Sequence, residues 1–264
     1  MPPPTLSLLF GALIGLTLGL LGGGGSILTV PILVYAIGLD AHAATGTSLA
    51  IVGTSALLGA ALHGRKGNVR LRRGLAFGAV SMLTALPGVW LNRLFPGRVI
   101  LLLFGCLMFV VGARMVRREP AAPSAGTPGA RPGETPPAAW LPFVALGAAV
   151  GLLTGFFGIG GGFMIVPALV LAGGFSMQHA VGTSLLVITM TTAAALVGHF
   201  HFGTVALGIV GMFVAGGVAG ILSGSALAGY LPERTLAKAF GWFVILLAVF
   251  VVSQNMGLFP SRPH

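Results

Sequence analysis

Eight long apolar runs, separated by short polar segments, make up most of the chain. They cover residues 6–37, 43–62, 74–92, 99–116, 140–175, 179–198, 205–229 and 236–253. A helix needs about 20 residues to cross the ~30 Å hydrocarbon core of a bilayer. Six runs therefore predict one transmembrane helix each. The runs 6–37 and 140–175 are too long for one straight crossing and too short for two.

Glycine-rich segments interrupt the two longest runs. The first contains four consecutive glycines at 22–25, and the second contains Gly158 and three further glycines at 160–162. A glycine run favours a turn or an unwound break over a continuous helix. We therefore predict a break in each long run. Either the run crosses the membrane once, or it folds into a hairpin at the glycines.

The two halves of the chain align without a gap at an offset of 136 residues. Between Gly11 and Gly105, 32 of 95 aligned pairs are identical, including His63 with His199 and Arg98 with Arg234. Transporters are commonly built from such duplicated halves. We predict an all-α polytopic membrane protein of two tandem repeats, with about eight helical segments. Repeat 1 covers 1–118, a Pro-rich cytoplasmic linker covers 119–139, and repeat 2 covers 140–264.

Composition confirms the membrane class and excludes two others. Residues of the AVILMFWYC set make up 56% of the chain and charged residues only 7%, against roughly 25% charged in soluble domains. A soluble enzyme or nucleic-acid binder is excluded, because the chain cannot cover a water-facing surface. The bilayer is the expected surrounding, with multi-pass insertion in a bacterial inner membrane. Cys106 is the single cysteine, so intramolecular disulfides and iron–sulfur clusters are excluded.

The basic residues constrain the orientation only in part. Five lie at 65–73 and three more end the fourth run at 114–118, so both groups are expected in the cytoplasm. A hairpin in each first run gives inverted repeats, with 11 of the 14 basic residues inside; a single crossing gives parallel repeats, with 10 inside. The difference is small, and we favour the hairpin.

Candidate substrate-binding groups occur at the glycine breaks and in a second matched motif, Gly-Thr-Ser-Leu. At membrane depth, irregular backbone is tolerated only where it is buried in protein or lines a wet cavity. A helix that starts after a glycine break offers free N–H groups to an anion. The hydroxyls of the second motif either cap their helix or donate to substrate oxygens. The candidate residues are Gly22, Gly23, Gly24, Gly25, Ser26, Thr47, Ser48, Gly158, Gly160, Gly161, Gly162, Thr183 and Ser184.

The ionisable residues favour an anion over a cation as substrate. The four carboxylates, Asp40, Glu119, Glu134 and Glu233, all lie outside the middle of the apolar runs, whereas cation carriers use intramembrane Asp or Glu. His63 and His199 are candidates for proton coupling; ordinary placement at helix ends is the alternative. No motif indicates a metal site, and no cofactor is expected.

A family resemblance rests on these motifs. The Gly-rich segment ending in Val30-Pro31 or Val166-Pro167, followed by Gly46-Thr47-Ser48-Leu49 or Gly182-Thr183-Ser184-Leu185, resembles the TauE/SafE sulfite-exporter family, also called the toluene sulfonate uptake permeases. The resemblance covers nearly the whole chain except the linker. One departure is that Gly23 and Ser26 in the first repeat align with Ile159 and Gly162 in the second. The resemblance implies a bacterial inner-membrane transporter of sulfite, sulfonates or related small anions.

The sequence thus predicts a secondary carrier for a small anion, not an enzyme. The alternatives are a passive channel for anions or small solutes, and a membrane assembly factor that transports nothing. The expected partners are the anionic substrate, the lipid bilayer and, in one arrangement, further copies of the chain; nucleic acid is not expected. The substrate, the direction of transport and the coupling ion are left open.

Overall fold

The computed structural model describes residues 4–117, 140–158, 162–171, 175–201, 205–228 and 233–256. Within these ranges the chain is helical and contains no strand. The predicted linker at 119–139 lies outside the described residues, as do Gly160 and Gly161.

Ten α-helices account for most of the described residues. They are α1 (Pro4–Leu21), α2 (Gly24–Pro31), α3 (Ala41–Arg65), α4 (Leu71–Leu94), α5 (Gly97–Arg117), α6 (Trp140–Phe157), α7 (Gly162–Leu171), α8 (Met177–His201), α9 (Leu207–Leu227) and α10 (Glu233–Asn255). A π-helical turn, Ile32–Ala36, extends α2. The all-helical prediction is confirmed, and it follows from the solvent, because a helix satisfies its backbone hydrogen bonds internally within lipid.

Five of these helices are long and apolar enough to cross a membrane. The qualifying segments are Ala41–Arg65, Leu71–Leu94, Gly97–Arg114, Met177–His199 and Leu207–Leu227. They coincide with five of the six runs predicted to cross once. The sixth run, 236–253, lies in α10, in which the apolar segment Gly241–Asn255 is shorter.

Glycines break both long runs, as predicted. In the first run α1 ends at Leu21 and α2 begins at Gly24, so two residues form the whole connection. Gly22 takes a φ of +67°, a value that L side chains rarely adopt. A Cβ on Gly25 would collide with the backbone of α1 at Ile14 and Leu18. The chain therefore folds back along α1 as a hairpin.

The second run is broken at the equivalent position. Helix α6 ends at Phe157 and α7 begins at Gly162, and Gly158 has the same φ of +67° as Gly22.

The main helix contacts join the first half of the chain to the second. Helix α1 packs against α9, α4 against α6, α3 against α8, and α5 against α10. Glycines allow the first two pairs to approach to backbone contact: Gly15 faces the Gly217 backbone, and Gly155 faces the Ala85 backbone. Such small-residue faces are typical of membrane helix pairs.

Large apolar side chains cover much of the outer surface. Leu83, Leu246 and Trp90 are all more than half exposed, whereas Ser26, Ser48 and Ser184 are fully buried. This distribution is the reverse of a soluble domain and suits a protein surrounded by lipid. The polar groups that carry chemistry therefore lie inside the helix bundle.

Candidate functional site

The two glycine breaks meet inside the bundle. Gly22, Gly23, Gly158 and Gly162 are all buried. Gly23 contacts Gly162 so closely that a Cβ on either residue would overlap the backbone of the other. The structure therefore brings together two segments that lie 139 residues apart in the sequence.

Each break also packs against the Gly-Thr-Ser-Leu motif of the opposite half. A Cβ on Gly22 would lie 2.9 Å from Ser184 Oγ, and Gly158 is pressed against Thr45. Ser48 Oγ donates a hydrogen bond to the Gly158 carbonyl. The described members of the predicted site thus form one contiguous region, built from both halves of the chain.

The serine hydroxyls of this region donate to backbone carbonyls. Ser26 Oγ donates to the Gly23 carbonyl at 2.6 Å, Ser48 Oγ to the Thr45 carbonyl at 3.0 Å, and Ser184 Oγ to the Val181 carbonyl at 2.8 Å. Buried hydroxyls need such partners. A hydroxyl can rotate, so each is also able to donate to a ligand that replaces its carbonyl.

Thr47 and Thr183 secure helix starts in the opposite half. The backbone N–H of Ala206, just before α9, donates to Thr47 Oγ1 at 2.9 Å. The backbone N–H of Arg70, just before α4, donates to Thr183 Oγ1 at 3.0 Å. Both hydroxyls act here as acceptors for N–H groups that have no partner within their own helix. Sequence reasoning missed this structural role, because the partners lie in the other half.

His63 and His199 lie at opposite ends of the bundle. Both are almost fully buried, at 4% and 2% exposure. His63 lies beside the backbone of Gly19, near the end of α1, and both its ring nitrogens lack a hydrogen-bond partner. His199 lies beside the backbone of Gly155, near the end of α6, with Arg93 and His42 close by. Each histidine therefore adjoins the helix turn that precedes a glycine break.

A polar network also reaches the end of α6. Asn92 is fully buried, and its Nδ2 donates to the Phe156 carbonyl at 2.7 Å. Its Oδ1 lies 2.9 Å from His42 Nδ1. Sequence reasoning missed Asn92; the available signal was a single asparagine at the end of an apolar run.

The remaining charged groups near the helix ends serve the helices themselves. The Asp40 carboxylate caps α3 by accepting from the backbone N–H groups of His42 and Ala43, at 2.9 and 3.2 Å. Arg98 donates to the Asn255 carbonyl at 2.9 Å. Among the residues that the structure describes, no group of three His, Cys, Asp or Glu side chains is placed to hold a metal.

An apolar cleft of about 300 Å³ lies where α4, α5 and α6 meet. Its lining is aliphatic and aromatic: Leu91, Phe95, Leu103, Leu107, Leu152, Leu153, Phe156 and Phe157. Such a lining offers almost no donor to a desolvated anion. The cleft is therefore unsuited to the predicted ligand, whereas the region around the breaks combines backbone groups with hydroxyls.

Comparison with known proteins gives the same picture over nearly the full length. The family described as sulfite exporter TauE/SafE matches residues 7–251. A "Probable membrane transporter protein" from Xylella fastidiosa (strain Temecula1 / ATCC 700964) is 37% identical over 248 residues, covering 93% of each chain.

More distant relatives carry similar names. The "Probable membrane transporter protein YdhB" of Bacillus subtilis (strain 168) is 27% identical, over 86% of this chain and 91% of its own. A "Probable membrane transporter protein" of Haemophilus influenzae is 28% identical, over 92% and 96%. No solved structure matches the chain significantly. With its paired glycine breaks and a match spanning almost every residue, the chain belongs to the TauE/SafE family of membrane transporters.

Proposed function

We propose that this chain is a secondary carrier for a small anion, most favourably sulfite, an organosulfonate or a related sulfur compound, in a bacterial inner membrane. The observation that carries the proposal is the meeting of the two glycine breaks at Gly23 and Gly162. Family membership supports transport, and the chemistry of the buried region supports an anion.

A small oxyanion that leaves water must regain hydrogen-bond donors. Around the breaks these donors are the first N–H groups of α2 and α7, which carry the positive ends of helix dipoles, and the neighbouring hydroxyls. The described cations nearest in sequence lie towards helix ends, as Arg98 does. We therefore assign the substrate to Gly22, Gly23, Gly24, Gly25, Ser26, Thr47, Ser48, Gly158, Gly160, Gly161, Gly162, Thr183 and Ser184.

The two halves act as inverted repeats in this proposal. The hairpin gives the first half five consecutive helical segments, and short turns join them. An odd number of segments reverses the second half relative to the first. The contact of α1 with α9 and its counterpart, α6 with α4, support this arrangement, because an exchange of halves converts one pair into the other.

A carrier fits the buried site better than an open channel does. Ser26, Thr47, Ser48, Thr183 and Ser184 are all fully buried, so a substrate reaches them only after helices separate on one side. Alternating access of this kind is common in transporters with inverted repeats. His63 and His199, one beside each broken helix, are our candidates for proton coupling.

The direct test is uptake into proteoliposomes. The purified chain is offered sulfite, thiosulfate, sulfoacetate and taurine, with and without a proton gradient. We expect saturable flux of at least one anion. Flux that rises linearly with concentration and ignores every gradient would favour the channel, and absence of flux would favour the assembly factor.

Thr47 and Thr183 should each contribute to affinity. Replacing either with valine keeps the volume but removes the hydroxyl, and a net hydrogen bond is worth about 1–1.5 kcal/mol. We expect the apparent KM for the transported anion to rise about tenfold. Thr47→Ser keeps the oxygen and is the matched control, expected to remain within about threefold of wild type.

Arg98 separates this site from an interfacial one. Arg98→Gln should change flux much less than Thr47→Val, because the guanidinium donates to Asn255 at a helix end. Normal flux in both valine variants, with none in Arg98→Gln, would mean that interfacial charge holds the anion.

The orientation can be tested without a substrate. Residues 63–73 and 119–139 are expected in the cytoplasm, since 9 of the 14 basic residues lie in or next to these segments. In a Cys106→Ser background, Asn68→Cys and Ser124→Cys should resist an impermeant thiol reagent in intact cells. Pro96→Cys, in the exposed turn between α4 and α5, should be labelled. Labelling at position 68 or 124 in intact cells would reverse the assignment.

A further inference from the structure

We propose that the hydrogen bond between His42 and Asn92 is a latch that closes the substrate path at the end where α3 begins. His42 and Asn92 are then positioning residues for the break at Gly158. The inference rests on the proposed function, because the path it closes leads to the proposed site.

The Asn92 side chain has a fixed orientation. A backbone carbonyl only accepts, so the group that faces Phe156 at 2.7 Å is the amide NH₂. The amide oxygen is therefore the atom that faces His42 Nδ1 at 2.9 Å. His42 must donate through Nδ1, and it can do so whether the ring is neutral or charged. The latch therefore depends on the presence of a donor at position 42.

The bond joins two groups of helices. Helices α4 and α6 form a tight pair, since Gly88 and Gly155 bring their backbones into contact. Asn92 belongs to this pair, and its bond to Phe156 lies within it. His42 lies in the first turn of α3. The bond from His42 to Asn92 therefore ties α3 to the α4–α6 pair.

The same bond lies directly beside the proposed site. Phe156 is two residues before Gly158, and Gly158 packs against Thr45 and Ser48, one and two turns after His42 on α3. Separation of α3 from the α4–α6 pair at this end would expose Thr45, which is fully buried in the closed arrangement. Access from this side thus requires the latch to open.

The other end of the bundle is closed by different groups. At the offset of 136 residues, His42 corresponds to Gln178 and Asn92 to Ala228. An alanine side chain cannot form the equivalent bond. There, Lys66 Nζ donates to the Ser225 carbonyl at 3.1 Å and ties the end of α3 to α9. Loss of the His42–Asn92 bond should therefore open one end selectively.

The experiment measures cysteine accessibility. In a Cys106→Ser background, Thr45→Cys reports on the end where α3 begins, and Val181→Cys, its counterpart at the offset of 136, reports on the other end. Each is reacted with an impermeant thiol reagent in right-side-out and inside-out vesicles. His42→Leu removes the donor, whereas His42→Gln keeps an N–H donor. Asn92→Ala breaks the same bond from its other partner.

We expect His42→Leu and Asn92→Ala each to raise the labelling rate at position 45 about tenfold, a change equivalent to about 1.4 kcal/mol. His42→Gln should stay within twofold of the parent, and the rate at position 181 should not rise. An unchanged rate at position 45 in both bond-breaking variants overturns the proposal. An equal rise in His42→Leu and His42→Gln overturns it too, because ring volume would then be the cause.

These outcomes are separable from the proposed function. A chain that transports no tested anion, yet shows the selective rise at position 45, would refute the assigned substrate class and support the latch. A transporting His42→Leu chain with unchanged labelling would refute the latch alone.

Discussion

Replacing Gly23 with alanine is expected to abolish transport. The added methyl group would overlap the backbone carbonyl group of Gly162, and a backbone atom cannot move aside as the end of a flexible side chain can. The two breaks would have to separate, which removes the arrangement proposed to bind the anion. Overpacking of this kind costs about 1–3 kcal/mol, and 2.7 kcal/mol corresponds to about 100-fold in rate.

The measurement is flux in proteoliposomes, with the anion identified in the substrate panel. Gly64→Ala is the matched control, because the same methyl group on α3 would meet no atom within 4 Å; its flux should equal that of wild type. Gel filtration in detergent shows whether each variant is folded. A folded Gly23→Ala chain with flux within threefold of wild type would contradict the proposed site.

Gly15→Leu should have the largest effect on stability. Gly15 faces the Gly217 backbone with no room for a Cβ, so a leucine would force α1 and α9 apart along their whole contact. At about 3 kcal/mol, the upper end of common overpacking costs, the midpoint of thermal unfolding should fall by about 6–12 °C. The midpoint is read from the folded fraction remaining on gel filtration after heating.

Gly211→Leu provides the comparison within the same helix pair. A Cβ on Gly211 would meet no atom within 4 Å, and leucine favours helix over glycine by up to about 1 kcal/mol. Its midpoint should therefore be unchanged or slightly higher. Equal losses in the two variants would show that added apolar bulk, and not the α1–α9 contact, causes the destabilisation.

Local chemistry predicted the helices and their breaks. Apolar runs of about 20 residues have few structural options in lipid, and consecutive glycines at 22–25 interrupt a helix wherever they occur. The hairpin at Gly22 was also predictable in kind, because the run 6–37 is too long for one crossing. These features depend on residues close together in the chain.

Contacts between the halves were not predictable in the same way. The sequence marks Thr47 as a candidate substrate ligand, yet its oxygen accepts the backbone N–H of Ala206, 159 residues away. The bond between His42 and Asn92 spans 50 residues and follows no periodicity. One sequence without an alignment carries no signal for such pairs, because each partner alone suits an ordinary helix end.

The pairing of α1 with α9 and of α4 with α6 means that neither half can fold as an independent domain. Each half on its own would leave a glycine-lined groove, with bare backbone carbonyls, facing lipid tails that cannot occupy it as a helix does. A cut in the peptide chain between α5 and α6 would accordingly leave two fragments still clasped to one another at four helix interfaces. The halves are mutual templates, and neither serves as a scaffold for the other.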